Sequence, residues 1–141
     1  MSARTKARKR ALDILFAADV RQVPVGDILE AEAKRAAGEP QRAASWLYAR
    51  DIVDGVQDHR SEIDDLIAQH AQGWTLARMP AVDRAILRIG IWELLFNEDI
   101  PAAVAIDEAV ELAKELSTDE SSGFVHGVLA AVGRAGTSTA G

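Results

Sequence analysis

Five cations, Arg4, Lys6, Arg8, Lys9 and Arg10, fall within the first twelve residues, and no acid interrupts them. Cations spaced by one or two residues point to polyanion binding, a row of phosphates neutralised in turn, or else to a solvated, frayed terminus that only aids solubility. The whole chain carries a formal charge of -6, so the residues after position 12 sum to -11. An acidic body with a basic end steers nucleic acid to that end and repels it elsewhere.

Other chemistry finds little support. The three histidines, His59, His70 and His126, lie on different expected helices without paired-ligand spacing, and cysteine is absent, which excludes disulfides and thiolate zinc sites. There is no phosphate loop and no dinucleotide fingerprint, and the carboxylates fall mostly on outward helix faces, so no acid/base pair stands out. The expectation is a non-enzyme without cofactor or metal.

Positioning the cations requires a helix, and the pattern predicts one from about Thr5 to Arg21, with Ala7, Ala11, Ile14, Leu15 and Ala18 on its buried face and Phe16 on its flank. Cations in the opening turns of a helix oppose its dipole, a local cost that asks for a functional reason. Asp27 is the expected N-cap of a loosely packed helix to about Ala37. A third helix is expected over Gln41 to Asp58, with Trp46, Ala49, Ile52 or Val53, and Val56 inward. Ser61 to Asp64 reads as a capping box opening a fourth, and Trp74, Leu76 and Met79 are expected to pin the following connector onto the core.

From Val82 to Phe96 apolar residues appear on every side, the pattern of a helix wrapped by others, and Arg88 within it must find a carboxylate or carbonyl. Pro101 suits the first position of a helix Ala102 to Leu116, with Ile106, Ala109, Val110, Ala113 and Leu116 inward. Ser117 and Glu120 read as a capping box for a last helix that buries Val125, Val128, Leu129 and Val132 and leaves Phe124 off that stripe. With no strand pattern the fold class is all-α, about seven helices. Length fits one domain over 1–135 with a disordered tail at 136–141, and no apolar run approaches transmembrane length, so a soluble, cytoplasmic chain is expected.

The run Val82-Asp83-Arg84-Ala85-Ile86-Leu87-Arg88-Ile89-Gly90-Ile91-Trp92-Glu93-Leu94, then Asp99-Ile100-Pro101, then Ala105 to Lys114, then Phe124-Val125-His126-Gly127-Val128-Leu129, resembles the NusB family of bacterial transcription antitermination factors. The likeness extends upstream through Trp74 to Met79 and Ala7 to Leu12, nearly the whole chain. It implies two small helical bundles sharing a central buried helix. It also implies a non-catalytic adaptor that, with the small-subunit ribosomal protein NusE, binds single-stranded boxA RNA in nascent ribosomal RNA transcripts and supports processive elongation by RNA polymerase with the other Nus factors.

Carried onto this chain, the resemblance makes the cations from Arg4 to Arg10 the phosphate contacts, Phe124 and Phe16 the base-stacking candidates, and Asp119 an RNA contact in the acidic turn before the Phe124 motif. Asp83 is expected as an exposed acid at the protein-partner surface. His126 departs from the Asn usual in the family motif. The alternative is a protein-binding helical scaffold or homodimer without direct RNA binding. A third reading, the NusB-like module of ribosomal RNA cytosine methyltransferases, requires a methyl-donor-binding domain downstream.

Overall fold

The computed structural model describes residues 2–140, those of 136–140 without their side chains, and the tail expected to be disordered, 136–141, lies outside the residues described in full. The described residues form seven α-helices and no strand: α1 (Ala3–Arg21), α2 (Val25–Ala37), α3 (Ala43–Asp58), α4 (Arg60–His70), α5 (Ala81–Ile91), α6 (Ala102–Leu116) and α7 (Asp119–Ala140). Short 3-10 turns at Pro40–Arg42 and Leu76–Arg78 precede α3 and α5, and a π-helical turn, Trp92–Phe96, follows α5. The chain divides into two compact units, Met1–Asp54 and Gly55–Gly141.

In the first unit, α1 begins where the Ser2 hydroxyl accepts from the Thr5 amide at 3.0 Å. It ends at Gln22, whose left-handed φ of 53° turns its N–H back onto the Ala18 and Asp19 carbonyls. Pro24 holds the cap position of α2, so Asp27 lies inside the first turn and is not the N-cap that sequence suggested. No residue of α2 is fully buried, which fits its alanine-rich composition. Residues 41 and 42 belong to the 3-10 turn, so α3 starts two residues later than expected.

In the second unit α5 packs against α4, α6 and α7. Ala85, Ile86, Leu87, Ile89 and Ile91 are buried, each large side chain contributing about 1.5–3 kcal/mol. Two glycines set how closely this helix and its continuation are approached. A Cβ at Gly90 would meet Leu129 Cδ1 at 2.8 Å, and one at Gly55 would collide with the Trp92 indole.

Arg88, 6% exposed, finds the carboxylate it needed, donating from Nε to Asp64 Oδ1 at 2.9 Å and from Nη2 to Oδ2 at 3.2 Å. That pairing removes Asp64 from the capping box expected at Ser61: α4 starts one residue earlier, and no side chain caps it. The inward stripe of α6 is also rotated from expectation, because Leu112 is buried while Leu116 is 44% exposed. The α7 stripe of Val125, Val128, Leu129 and Val132 is buried as its spacing required.

Candidate nucleic-acid interface

The cations of α1 do not share one environment. Arg4 and Lys6 are exposed and Lys9 and Arg10 half-buried, but Arg8 is only 2% exposed. Helical spacing explains the difference: Arg8 lies three, four and seven residues before Ala11, Leu12 and Leu15, all buried, and so continues their face. Its guanidinium carbon sits 5.9 Å from the Tyr48 ring centroid, and that of Arg4 sits 5.4 Å from the same ring. Both distances suit cation–π attraction. The expectation that Arg8 meets RNA phosphate is therefore corrected: it ties α1 to α3, and the solvent-facing cations are Arg4, Lys6, Lys9 and Arg10. The apolar stripe, extended one turn back, was the signal that placed Arg8.

Phe16 is 39% exposed, so its ring is accessible. Twelve residues after Arg4, it stands about 18 Å along the same helix.

In the second unit, Phe124 is half-buried and its ring centroid lies 6.4 Å from that of Trp74, tilted by 59°. Trp74 is 50% exposed, which corrects the expectation that it is pinned onto the core; Met79 is the buried anchor of that connector. Gly73, at φ +82°, supplies the left-handed turn that carries the chain from α4 toward Trp74. Arg84 Nη1 then fixes the connector, donating to the carbonyls of Leu76 at 2.7 Å and Met79 at 2.6 Å. Trp74 and Phe124 are two walls of a cavity of about 350 Å³ whose other side is polar, with Asp83, Ser117, Glu120 and Ser121.

Asp83 is not the exposed acid expected at a protein-partner surface. It is 3% exposed and accepts from Ser117 Oγ at 2.8 Å and from Ser121 Oγ at 2.9 Å. In the first turn of α5 its side chain faces the α6–α7 connection, and two hydroxyls replace its water. Recruiting Ser117 shifts the cap of α7 by one residue: Thr118 Oγ1 accepts from the Ser121 amide at 3.1 Å, and Glu120 is exposed and makes no capping box. The only signal in the sequence was the cluster of hydroxyl residues at 117, 118 and 121.

Asp119 and His126 are exposed, and the Asp119 carbonyl accepts from Ser122 Oγ at 2.7 Å. Among the described residues no group of three His, Asp or Glu side chains is placed to hold a metal ion, and no helix is long and apolar enough to cross a membrane.

An all-helical chain with cations along its first helix and an aromatic-walled cavity in its second unit has the build of a small helical binding protein. Residues 5–134 match the model of the NusB family. The transcription antitermination protein NusB of Leifsonia xyli subsp. xyli is 70% identical over 132 residues, covering 94% of this chain and 92% of its own. A structure of T. maritima NusB superposes with a TM-score of 0.81 at 34% identity, covering 95% of this chain and 92% of that one. A structure of antitermination factors NusB and NusE in complex with dsRNA gives a TM-score of 0.83 at 28% identity, covering 96% and 98%. This chain belongs to the NusB family.

Proposed function

We propose that this protein is a transcription antitermination factor: a non-catalytic, cytoplasmic RNA-binding adaptor that, with ribosomal protein NusE, binds boxA RNA in nascent ribosomal RNA transcripts. Together with the other Nus factors it supports processive elongation by RNA polymerase. The observation that carries the reading is the row of accessible cations on α1, in a chain whose remaining charge is strongly negative and whose family includes a NusB solved with NusE and RNA.

Each unit contributes one kind of contact. In the first, Arg4, Lys6, Lys9 and Arg10 neutralise phosphates, with Phe16 on the same helix as a stacking surface. In the second, Phe124 and Trp74 offer aromatic faces to an unpaired base, and the hydroxyl and carboxylate side of their cavity offers hydrogen-bond partners. Asp119, exposed in the first turn of α7, accepts from base N–H groups at that end. Phosphate contacts set affinity, and sequence choice rests on the second unit.

The test is titration of a labelled single-stranded boxA-like RNA and a scrambled control, with and without NusE. Tighter binding of the boxA-like strand, strengthened by NusE, is expected. Association with NusE that resists ribonuclease, without salt-sensitive RNA binding, would favour the protein-binding scaffold instead.

A further inference from the structure

A second basic feature lies in the first unit and shares Arg10 with the row of α1 cations. A cavity of about 580 Å³ is walled by four arginines: Arg10 and Arg21 from α1, Arg35 from α2 and Arg42 from the 3-10 turn before α3. Arg10, Ile14, Ala17 and Arg21 recur at helical spacing, so α1 presents one stripe to this space with a guanidinium at each end. The two ends are roughly 16 Å apart along the axis, long enough for more than one nucleotide of an extended strand.

Arg35 pairs with Glu32 at 3.2 Å and Arg42 pairs with Glu39, whereas Arg10 acts on Asp13 by its charge without a close ion pair and Arg21 has no ion-pair partner among the described residues. Four guanidinium groups against Asp13 and Glu32 in the lining and Glu39 on Arg42 leave the cavity with an excess of one positive charge in a chain of net charge -6. A cleft of one sign with low-dielectric walls concentrates counter-charge, and the guanidinium fork matches phosphate oxygens. Trp46, half-buried, adds an aromatic wall. The two lining carboxylates accept only, so they suit a ligand that carries N–H donors as well as negative charge. A nucleotide with an amino-bearing base meets all three demands: phosphate for the arginines, a ring for Trp46, and an exocyclic amine for Asp13 or Glu32.

We infer that this cavity is a second single-stranded RNA cleft, one that holds a nucleotide with an amino-bearing base (cytosine, adenine or guanine, not uracil) and its phosphates on Arg21 and Arg42. The inference rests on the RNA-binding reading above and adds a site to it. Arg21 is exposed and Arg42 half-buried, so charge-removing substitutions there leave the core intact.

The experiment measures affinity of the full-length chain for labelled 20-nucleotide single-stranded RNAs, one cytidine-rich and one uridine-only, across a salt series. Four variants are compared with wild type: Arg21→Gln with Arg42→Gln, Trp46→Ala, Trp46→Phe, and Arg4→Gln with Lys6→Gln. The arginine pair should flatten the slope of log K against log salt by about 1.4, at roughly 0.7 per cation. Trp46→Ala should weaken binding at least about fivefold with the slope unchanged, while Trp46→Phe stays near wild type. Wild type should prefer the cytidine-rich strand. If Arg4→Gln with Lys6→Gln flattens the slope and the Arg21/Arg42 pair does not, RNA binding stands and the second cleft is overturned. A pair variant that keeps the RNA slope but loses NusE marks the cavity as a protein surface and also overturns it. Absence of RNA binding by wild type removes both readings.

Discussion

Arg88 and Asp64 stand 24 positions apart in sequence, and the guanidinium of one holds both carboxylate oxygens of the other. Asp64 also accepts from Arg60 Nε at 3.3 Å, so it joins α4 to α5 while anchoring its own helix turn. Replacing Arg88 with Ala should destabilise the protein by about 3 kcal/mol, the lower end for a buried pair, because Asp64 keeps Arg60 and some water. Denaturant unfolding checks the figure. RNA affinity of the folded fraction should be unchanged.

Asp83 is a second buried carboxylate, and its partners are hydroxyls. Asp83→Ala leaves Ser117 and Ser121 without their acceptor and should cost about 1.5–3 kcal/mol for each bond to the charged group, with partial relief from the adjoining serine and threonine. Thermal melting should report this loss. If instead stability holds and only NusE affinity falls, Asp83 returns to the partner surface.

The α1 cations separate into two behaviours. Arg4, Lys6 and Arg10 changed together to Ala should flatten the salt slope by about 2 units and weaken boxA-like and scrambled RNAs alike. Arg8→Ala should instead lower the melting temperature, since it removes a buried group packed against Tyr48. Salt titration beside calorimetry distinguishes the two.

Phe124→Ala should lose about 1–3 kcal/mol of RNA affinity with almost no change in slope. Trp74→Ala should act in the same direction and, because Trp74 is half-exposed, barely change stability. A large drop in melting temperature for Phe124→Ala would mark its ring as core.

Asp13 gives a pH signature. Partial withdrawal of its carboxyl from water, then the charge of Glu32, raise its pKa above 3.8, and Arg10 and Lys9 only partly oppose them. The native state therefore binds the proton more tightly than the unfolded chain. Its contribution is fully present below pH 3.8 and is lost as pH rises through the raised native value. Asp13→Asn should abolish that decline and raise stability near neutrality, as stability curves from pH 3 to pH 8 would show.

Helix identity and most apolar stripes were legible because burial at period 3.6 is written in single side chains. The α6 bounds and the α7 stripe needed no more than that. Arg88 was legible for a related reason: a charge inside an all-round apolar helix has to be paired. What escaped were choices between competing partners. Ser61 and Asp64 look like a cap until Arg88 claims the acid; Ser117 looks like a cap until Asp83 claims the hydroxyl. Arg8 and Asp83 are ionisable side chains that sequence alone places at the surface, yet an aromatic ring and two serines make their burial tolerable. Such trades are settled by residues tens of positions away.

The π-helical turn at Trp92–Phe96 makes chain length part of the structure. Such a turn closes with one residue more than a turn of the α-helix it continues. Deleting a single residue there would let the segment relax into α-helix with the bearing of the chain beyond it nearly kept, whereas deleting one inside α5 would swing everything beyond the cut by about 100°. Phe96, stacked on His59 at 3.9 Å and nearly parallel, would hold that ring in the first case and leave it in the second. The turn therefore acts as a length buffer: it takes up one residue of slack ahead of Asn97–Pro101 without turning the direction on which α6 is launched.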